Sequence, residues 1–159
     1  IPSPPATADL HHEAELVVAI GRPGQDIAVA EALRHVWGYA AGNDLTRRDL
    51  QAQAKAARRP WDMAKGFDRS AVIGPLVAGQ TPPSGRITCH VGDSLRQDAD
   101  LGEMIWDVAH IIAFLSGMVE LQPGDLIMTG TPAGVGAIAP GQTCRVAIDG
   151  LPPVSVTVV

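Results

Sequence analysis

Cysteine is nearly absent, with two in 159 residues. Cys89 and Cys144 have no metal-ligand spacing, and both fall in segments that read as strands. They are therefore expected as reduced, buried thiols, and not as a disulfide or a nucleophile. Long apolar runs are also missing, because each is broken by Gly, Pro or a charge, which excludes a transmembrane helix. No basic-then-apolar leader is present either, so a cytoplasmic chain is expected, with no membrane partner. Positive charge is scarce: Lys and Arg total 12 against 17 Asp and Glu, a formal net charge of −5. Apart from Arg47-Arg48 and Arg58-Arg59 the basic residues are scattered, so no stripe for a phosphate backbone is visible and nucleic acid is not expected as a partner. No internal repeat is apparent, and the length fits one domain at about 100–150 residues per domain. There is also no initiating Met. The chain opens Ile1-Pro2-Ser3-Pro4-Pro5 and enters a patterned strand almost at once, so it reads as the middle of a longer gene product.

What is present is an unusual placement of acid. The run from His11 to Ile20 is rich in Val and Ile and stops at Gly21-Arg22-Pro23-Gly24, the pattern of a buried or half-buried strand. Residues two apart share a face of a strand. Glu13 and Glu15 therefore lie on one face with Val17 and Ala19, while Ala14, Leu16, Val18 and Ile20 form the opposite, apolar face. Two carboxylates so close and partly desolvated raise each other's pKa unless a cation offsets them. A bound metal ion would serve, and so would simple solvation, since Glu-x-Glu is common on wet strand faces.

The remaining pattern mixes strands and helices without regular alternation. A helix is expected over 26–36, with Ile27, Ala30, Leu33 and Val36 inward, followed by a strand over 36–42. Thr46 is a candidate cap for a helix over 47–57, with Asp49 in its first turn, Lys55, Arg58 and Arg59 near its last, and Pro60 beyond. Residues 71–85 read as loop and short strand. A hairpin turns at Gly92-Asp93, with strands over 86–91 and 94–97. Asp98 or Asp100 is expected to cap a long helix over 101–118, whose Leu101, Ile105, Val108, Ile112 and Leu115 form a core stripe. A strand over 126–129 and a closing pair over 144–148 and 154–159 complete an α+β, β-rich fold.

Three further features carry chemistry. Asp44 stands between a strand end and a helix start, where a carboxylate either caps the helix or leans into a cleft. Lys65, flanked by Ala64, Gly66 and Phe67 just past Trp61, has the surroundings of a partly buried stem. The loop from Thr129 to Gly136 brings backbone N–H groups and the Thr131 hydroxyl within reach of a ligand carboxylate, although it lacks the Gly-Lys-Ser/Thr end of a P-loop.

The stretches from Asp9 to Gly21, Gly38 to Gln51, Arg59 to Asp68 and Pro123 to Gly136 together resemble the fumarylacetoacetate hydrolase family, in family order and across nearly the whole chain. Within it they are most similar to the members that cleave fumarylpyruvate in gentisate degradation. The resemblance implies a mixed β-roll, usually a homodimer, holding Mg²⁺ or Mn²⁺ through carboxylates that fall here on Glu13, Glu15 and Asp44. Hard oxygen ligands agree with that choice, and no His or Cys set for zinc is offered. His11 and His12 are left out of the ligand set, and His35, His90 and His110 are expected to be structural or solvent-facing. The implied substrate is a small 2,4-diketo acid, cleaved between C3 and C4. Lys65 would stabilise the pyruvate enolate, Arg48 and Gln51 would contact substrate, and Thr131 would hold its carboxylate end. The family activates its water with a His–Glu pair upstream of the Glu-x-Glu strand. The chain is thus expected to be a single catalytic domain over 1–159 without that lid segment. The family also contains acylpyruvases, oxaloacetate decarboxylases and isomerases of a dienoic diacid, and a truncated, non-catalytic metal-binding paralogue is the contrasting expectation.

Overall fold

The apolar runs become strands that curl into three sheets in the computed structural model, which describes residues 1–159. The first run is two strands, β1 (Leu10–His12) and β2 (Ala14–Ile20), with Glu13 at the break. A short helix α1 (Val29–Ala32) and a 3-10 turn (Leu33–His35) lead into β3 (Val36–Asp44). Next come β4 (Thr46–Arg47), α2 (Arg48–Ala56) and α3 (Asp62–Lys65). Strands β5 (Ala71–Ile73) and β6 (Val77–Ala78) precede the hairpin of β7 (Arg86–Val91) and β8 (Ser94–Asp100). Helix α4 (Val108–Ser116), β9 (Leu126–Met128), β10 (Gly136–Ala137), β11 (Thr143–Ile148) and β12 (Val154–Thr157) complete the chain. The sheets run β10-β1-β4, β12-β11-β7-β8 and β5-β3-β2-β9, with β6 also on β3. This is the strand-rich α+β class expected from the sequence, and no helix is long and apolar enough to cross a membrane.

The core sits on the face of β2 that carries Ala14, Leu16, Val18 and Ile20, packed with Val36, Tyr39 and Ala41 of β3 and Cys89, Val91, Cys144 and Val146 of the hairpin sheet. Burying a Val, Leu or Ile side chain is worth about 1.5–3 kcal/mol, so this layer is where the fold gains most of its stability. Val17 and Ala19 are buried as well, and β9 pairs beside β2 from Val17 to Ala19.

Three expectations change. The helix over 26–36 shrinks to α1 and a 3-10 turn, because Asp26 adopts a left-handed φ of 51° and Ile27 N–H is taken by Ser116 Oγ; Ala30 is exposed. The helix over 101–118 is interrupted: Leu101–Glu103 is a 3-10 turn, the chain extends at Met104, and α4 begins only at Val108. Asp100 caps only the 3-10 turn, accepting from Gly102 N at 2.7 Å, while the Asp107 carboxylate accepts from His110 N and caps α4; Asp98 stays in β8. Ile105 of the expected core stripe is 98% exposed as a result. Thr46 does not cap α2; it pairs in β4, and its hydroxyl donates to the Asp44 carbonyl.

Candidate metal and substrate site

Antiparallel register brings the three carboxylates to one face. Ala14 lies opposite Asn43 and Glu15 opposite Gly42. One step further, Asp44 N donates to Glu13 O at 2.9 Å, so Glu13 and Asp44 face each other. Gly42 keeps this face bare beside Glu15, since a Cβ there would stand 2.4 Å from Val17 Cγ2. Carboxylate oxygens of Glu13, Glu15 and Asp44 all fall within 4.8 Å of one another. Both glutamates are buried, and Asp44 is half-buried.

Two cations answer them. Lys65, at the end of α3, places Nζ 2.5 Å from Glu13 Oε2 and 2.6 Å from Asp44 Oδ2. Arg48, first in α2, donates through Nη2 to Glu13 Oε1 at 2.6 Å, through Nη1 to Gln51 Oε1 at 2.5 Å and through Nε to His11 Nδ1 at 3.3 Å. His11 Nε2 in turn meets Asp9 Oδ1 at 2.9 Å. Gly130 N–H, in the loop after β9, donates to Glu15 Oε2 at 2.7 Å and ties the Thr131 loop to the site.

Burial pushes the Glu15 carboxyl up to about 7, helped by the Asp44 and Glu13 charges and opposed by Gly130 N–H and Lys65. Burial also raises Asp44, against the hydrogen bond and charge of Lys65. For Lys65, burial works to lower the pKa, but hydrogen bonds and charges from Asp44 and Glu13 outweigh it and the value rises. When Glu15 is ionised, three carboxylates face two cations and the cluster is short of positive charge. Its donors are hard oxygens at ligand spacing, so the residues present fit a Mg²⁺ or Mn²⁺ ion.

All the site residues expected from the sequence are accounted for here, Glu13, Glu15, Asp44, Lys65, Arg48 and Gln51 in one cluster and Thr131 one residue beyond the Gly130 contact. Gln97 and Asn43 carry no signal in the sequence, whereas His12 is left out of the ligand set there and the two cysteines are expected as reduced, buried thiols, as found. His12 sits on the other side of the chain from the carboxylates, fully buried, with Nδ1 at 2.9 Å from Gln97 Oε1 and 3.4 Å from Cys89 Sγ. Burial depresses its pKa. Cys89 and Cys144 are free and buried with sulfurs 3.3 Å apart, and Asn43 links this group to the site, donating to Cys144 Sγ at 3.3 Å and accepting from Glu13 N at 3.0 Å. Donor atoms of His12, Cys89 and Cys144 also lie within 4.8 Å of one another. Each is engaged in hydrogen bonds to its neighbours, so the group reads as a neutral support beneath the carboxylates. Gln97 spans from this group to the Thr131 loop. A cavity of about 540 Å³ opens beside that loop, lined by Leu16, Ile87, Leu101, Trp106, Thr129 and Thr131 among others.

Sheet architecture and carboxylate cluster together define a class. The family described as fumarylacetoacetate (FAA) hydrolase C-terminal matches residues 1–159, and the chain belongs to it. Its similarity extends to individual enzymes. A fumarylpyruvate hydrolase of Ralstonia sp. is 43% identical over 157 residues, covering 98% of this chain and 82% of that protein. The crystal structure of fumarylpyruvate hydrolase from Pseudomonas aeruginosa in complex with Mn²⁺ and pyruvate superposes with a TM-score of 0.97 at 48% identity, covering 100% of this chain and 70% of that one. A mitochondrial oxaloacetate decarboxylase of Dictyostelium discoideum is 38% identical over 156 residues, covering 93% of this chain and 69% of its own.

Proposed function

We propose that this chain is a single catalytic domain for metal-dependent C–C bond hydrolysis of a 2,4-diketo acid, with fumarylpyruvate cleaved to fumarate and pyruvate. The observation that carries the reading is the convergence of Glu13, Glu15 and Asp44 on one face with Lys65 Nζ between two of them. Likeness to a fumarylpyruvate hydrolase whose complex contains Mn²⁺ and pyruvate supports both the ion and the product. Glu13, Glu15 and Asp44 are assigned as ligands of Mg²⁺ or Mn²⁺, which when bound supplies a Lewis acid for the 2-oxo group. Lys65 is the catalytic residue: its ammonium, kept charged by Asp44 and Glu13, stabilises the negative charge that develops on the three-carbon product as the C3–C4 bond breaks. Arg48 and Gln51, already bonded to each other, bind and orient substrate. Thr131 and its loop hold the carboxylate end. These roles are binding, orientation and charge stabilisation; none transfers a proton from the attacking water. The same reading makes the protein a cytoplasmic homodimer of aromatic catabolism.

Decarboxylation of oxaloacetate is a second reading, favoured by the Dictyostelium relative. Fumarylpyruvate, acetylpyruvate and oxaloacetate assayed with Mg²⁺ and with Mn²⁺ separate the two. Preference for fumarylpyruvate supports the first, and preference for oxaloacetate overturns it. Tight Mn²⁺ binding without turnover of any of them supports a non-catalytic metal-binding paralogue.

A further inference from the structure

Gln97, in β8, is 1% exposed and uses both ends of its amide twice. Its Oε1 accepts from Ala14 N at 3.1 Å and lies 2.9 Å from His12 Nδ1. Its Nε2 donates to the Pro132 carbonyl at 2.8 Å and to Thr131 Oγ1 at 2.7 Å. This orientation is forced, because the Ala14 N–H can only donate and the Pro132 carbonyl can only accept. Two proton positions follow. His12 carries its hydrogen on Nδ1, in keeping with a buried Nε2 that has no partner. Thr131 Oγ1 is an acceptor toward Gln97, so its own hydrogen is left free for another acceptor. The loop's backbone is seated on β8 separately, by Gly134, whose φ of +98° and approach to Arg96 O leave no room for a Cβ. Gly134 and the Gln97–Pro132 bond both hold the loop's backbone, while the second Gln97 bond, to Thr131, decides which way the hydroxyl hydrogen points.

That direction matters for an anion. A carboxylate can only accept, so a threonine whose hydrogen was already committed would turn lone pairs toward it. We propose that Gln97 is a positioning residue that orders the Thr131 hydroxyl as a hydrogen donor toward a ligand carboxylate. The inference rests on the assignment of Thr131 to the carboxylate end of the substrate. Gln97→Glu, when ionised, replaces the donating NH₂ with an acceptor and gives up the Pro132 bond; the Thr131 hydroxyl then turns to donate to Glu and presents lone pairs to the ligand.

The test is calorimetric titration of the Mn²⁺-loaded protein with pyruvate. Thr131→Val is expected to weaken binding about tenfold, the worth of one hydrogen bond to a charged group. Gln97→Glu is expected to weaken it by a similar factor, and the double variant to bind no more weakly than Thr131→Val, since both changes remove one interaction. Thermal melts check folding. Where Gln97→Glu fails to fold, Gln97→Met serves, with a loss of about threefold that vanishes in the Thr131→Val background. Wild-type affinity in Gln97→Glu beside a weakened Thr131→Val overturns the role of Gln97 and leaves the site assignment standing. Losses that add in the double variant mark Gln97 as merely structural and overturn the proposal too. Unchanged affinity in Thr131→Val overturns both the carboxylate assignment and the inference built on it.

Discussion

Two polar regions lie back to back across β1, β2 and β3, and they handle burial in opposite ways. Glu13, Glu15 and Asp44 form the first, a charged cluster with a half-buried edge, two cations against it and one carboxyl held near neutrality. His12, Gln97, Asn43, Cys89 and Cys144 form the second, which is neutral, wholly buried and hydrogen-bonded at every member, with His12 Nε2 its one unpaired atom. A buried neutral network is stable once its members are paired, whereas a buried cluster of like charges stays short of its complement. The contrast teaches which region is built to take something up. The first still calls for a cation, and the second only supports it.

The largest effects are expected where the charged region is cut. Lys65→Ala is expected to lower turnover about a hundredfold while leaving Mn²⁺ affinity within severalfold. Glu15→Gln is expected to reverse the pattern, losing more than the about 10–100-fold in affinity typical of residues one step removed from a metal. Turnover assays with Mn²⁺ titrations on both variants check this, and equal loss of both quantities in Lys65→Ala would sink its assigned role.

Acidity offers a second way to break the comparison. Because burial raises the Glu15 carboxyl to about 7, the folded metal-free protein favours its neutral form. Below the ordinary pKa of 4.5 the carboxyl is protonated whether folded or not, and its contribution to stability is complete. As pH rises toward 7 the unfolded chain ionises first, so stability falls, by about 3 kcal/mol once the folded pKa is passed. Asp44, also raised, acts in the same direction at the same face. Urea midpoints of metal-free protein at pH 5 and pH 8 read the loss, which Glu15→Gln is expected to flatten. Saturating Mn²⁺ is expected to reverse the slope, since binding requires the ionised carboxylate.

The smallest effect sharpens the role of the neutral region. Asn43→Ala leaves Glu13 N–H without its side-chain acceptor and Cys144 without its donor. A loss of about 1–3 kcal/mol in denaturant stability is expected, with little change in catalysis where Mn²⁺ is saturating. A large fall in turnover at full stability would instead mean that the support reaches into the reaction.

Much of the charged region was legible in the sequence because strand periodicity is local. Two-residue spacing alone places Glu13 and Glu15 on one face, and the apolar face of Leu16, Val18 and Ile20 is the core. Joining Asp44, Lys65, Arg48 and Gln51 to that pair required the family resemblance, since their meeting depends on register between distant segments. The neutral region was not legible for the same reason. Cys89 and Cys144 are diagonal neighbours on β7 and β11, and nothing local to either marks the other, or His12, as a contact. Helix ends were misread where a nearer cap was available, as at Asp107, or where a strand bridge captured the residue, as at Thr46.

Glu13 occupies the one-residue gap between β1 and β2, and those strands belong to different sheets. An ion held jointly by Glu13, Glu15 and Asp44 would act there as a rivet, closing the chain between residues 13 and 44 into a loop and shrinking the freedom of the opened state as a cross-link does. Loading would then slow amide exchange first in β1 and β4, the short strands next to that seam, while the hairpin of β7 and β8 keeps its own pace.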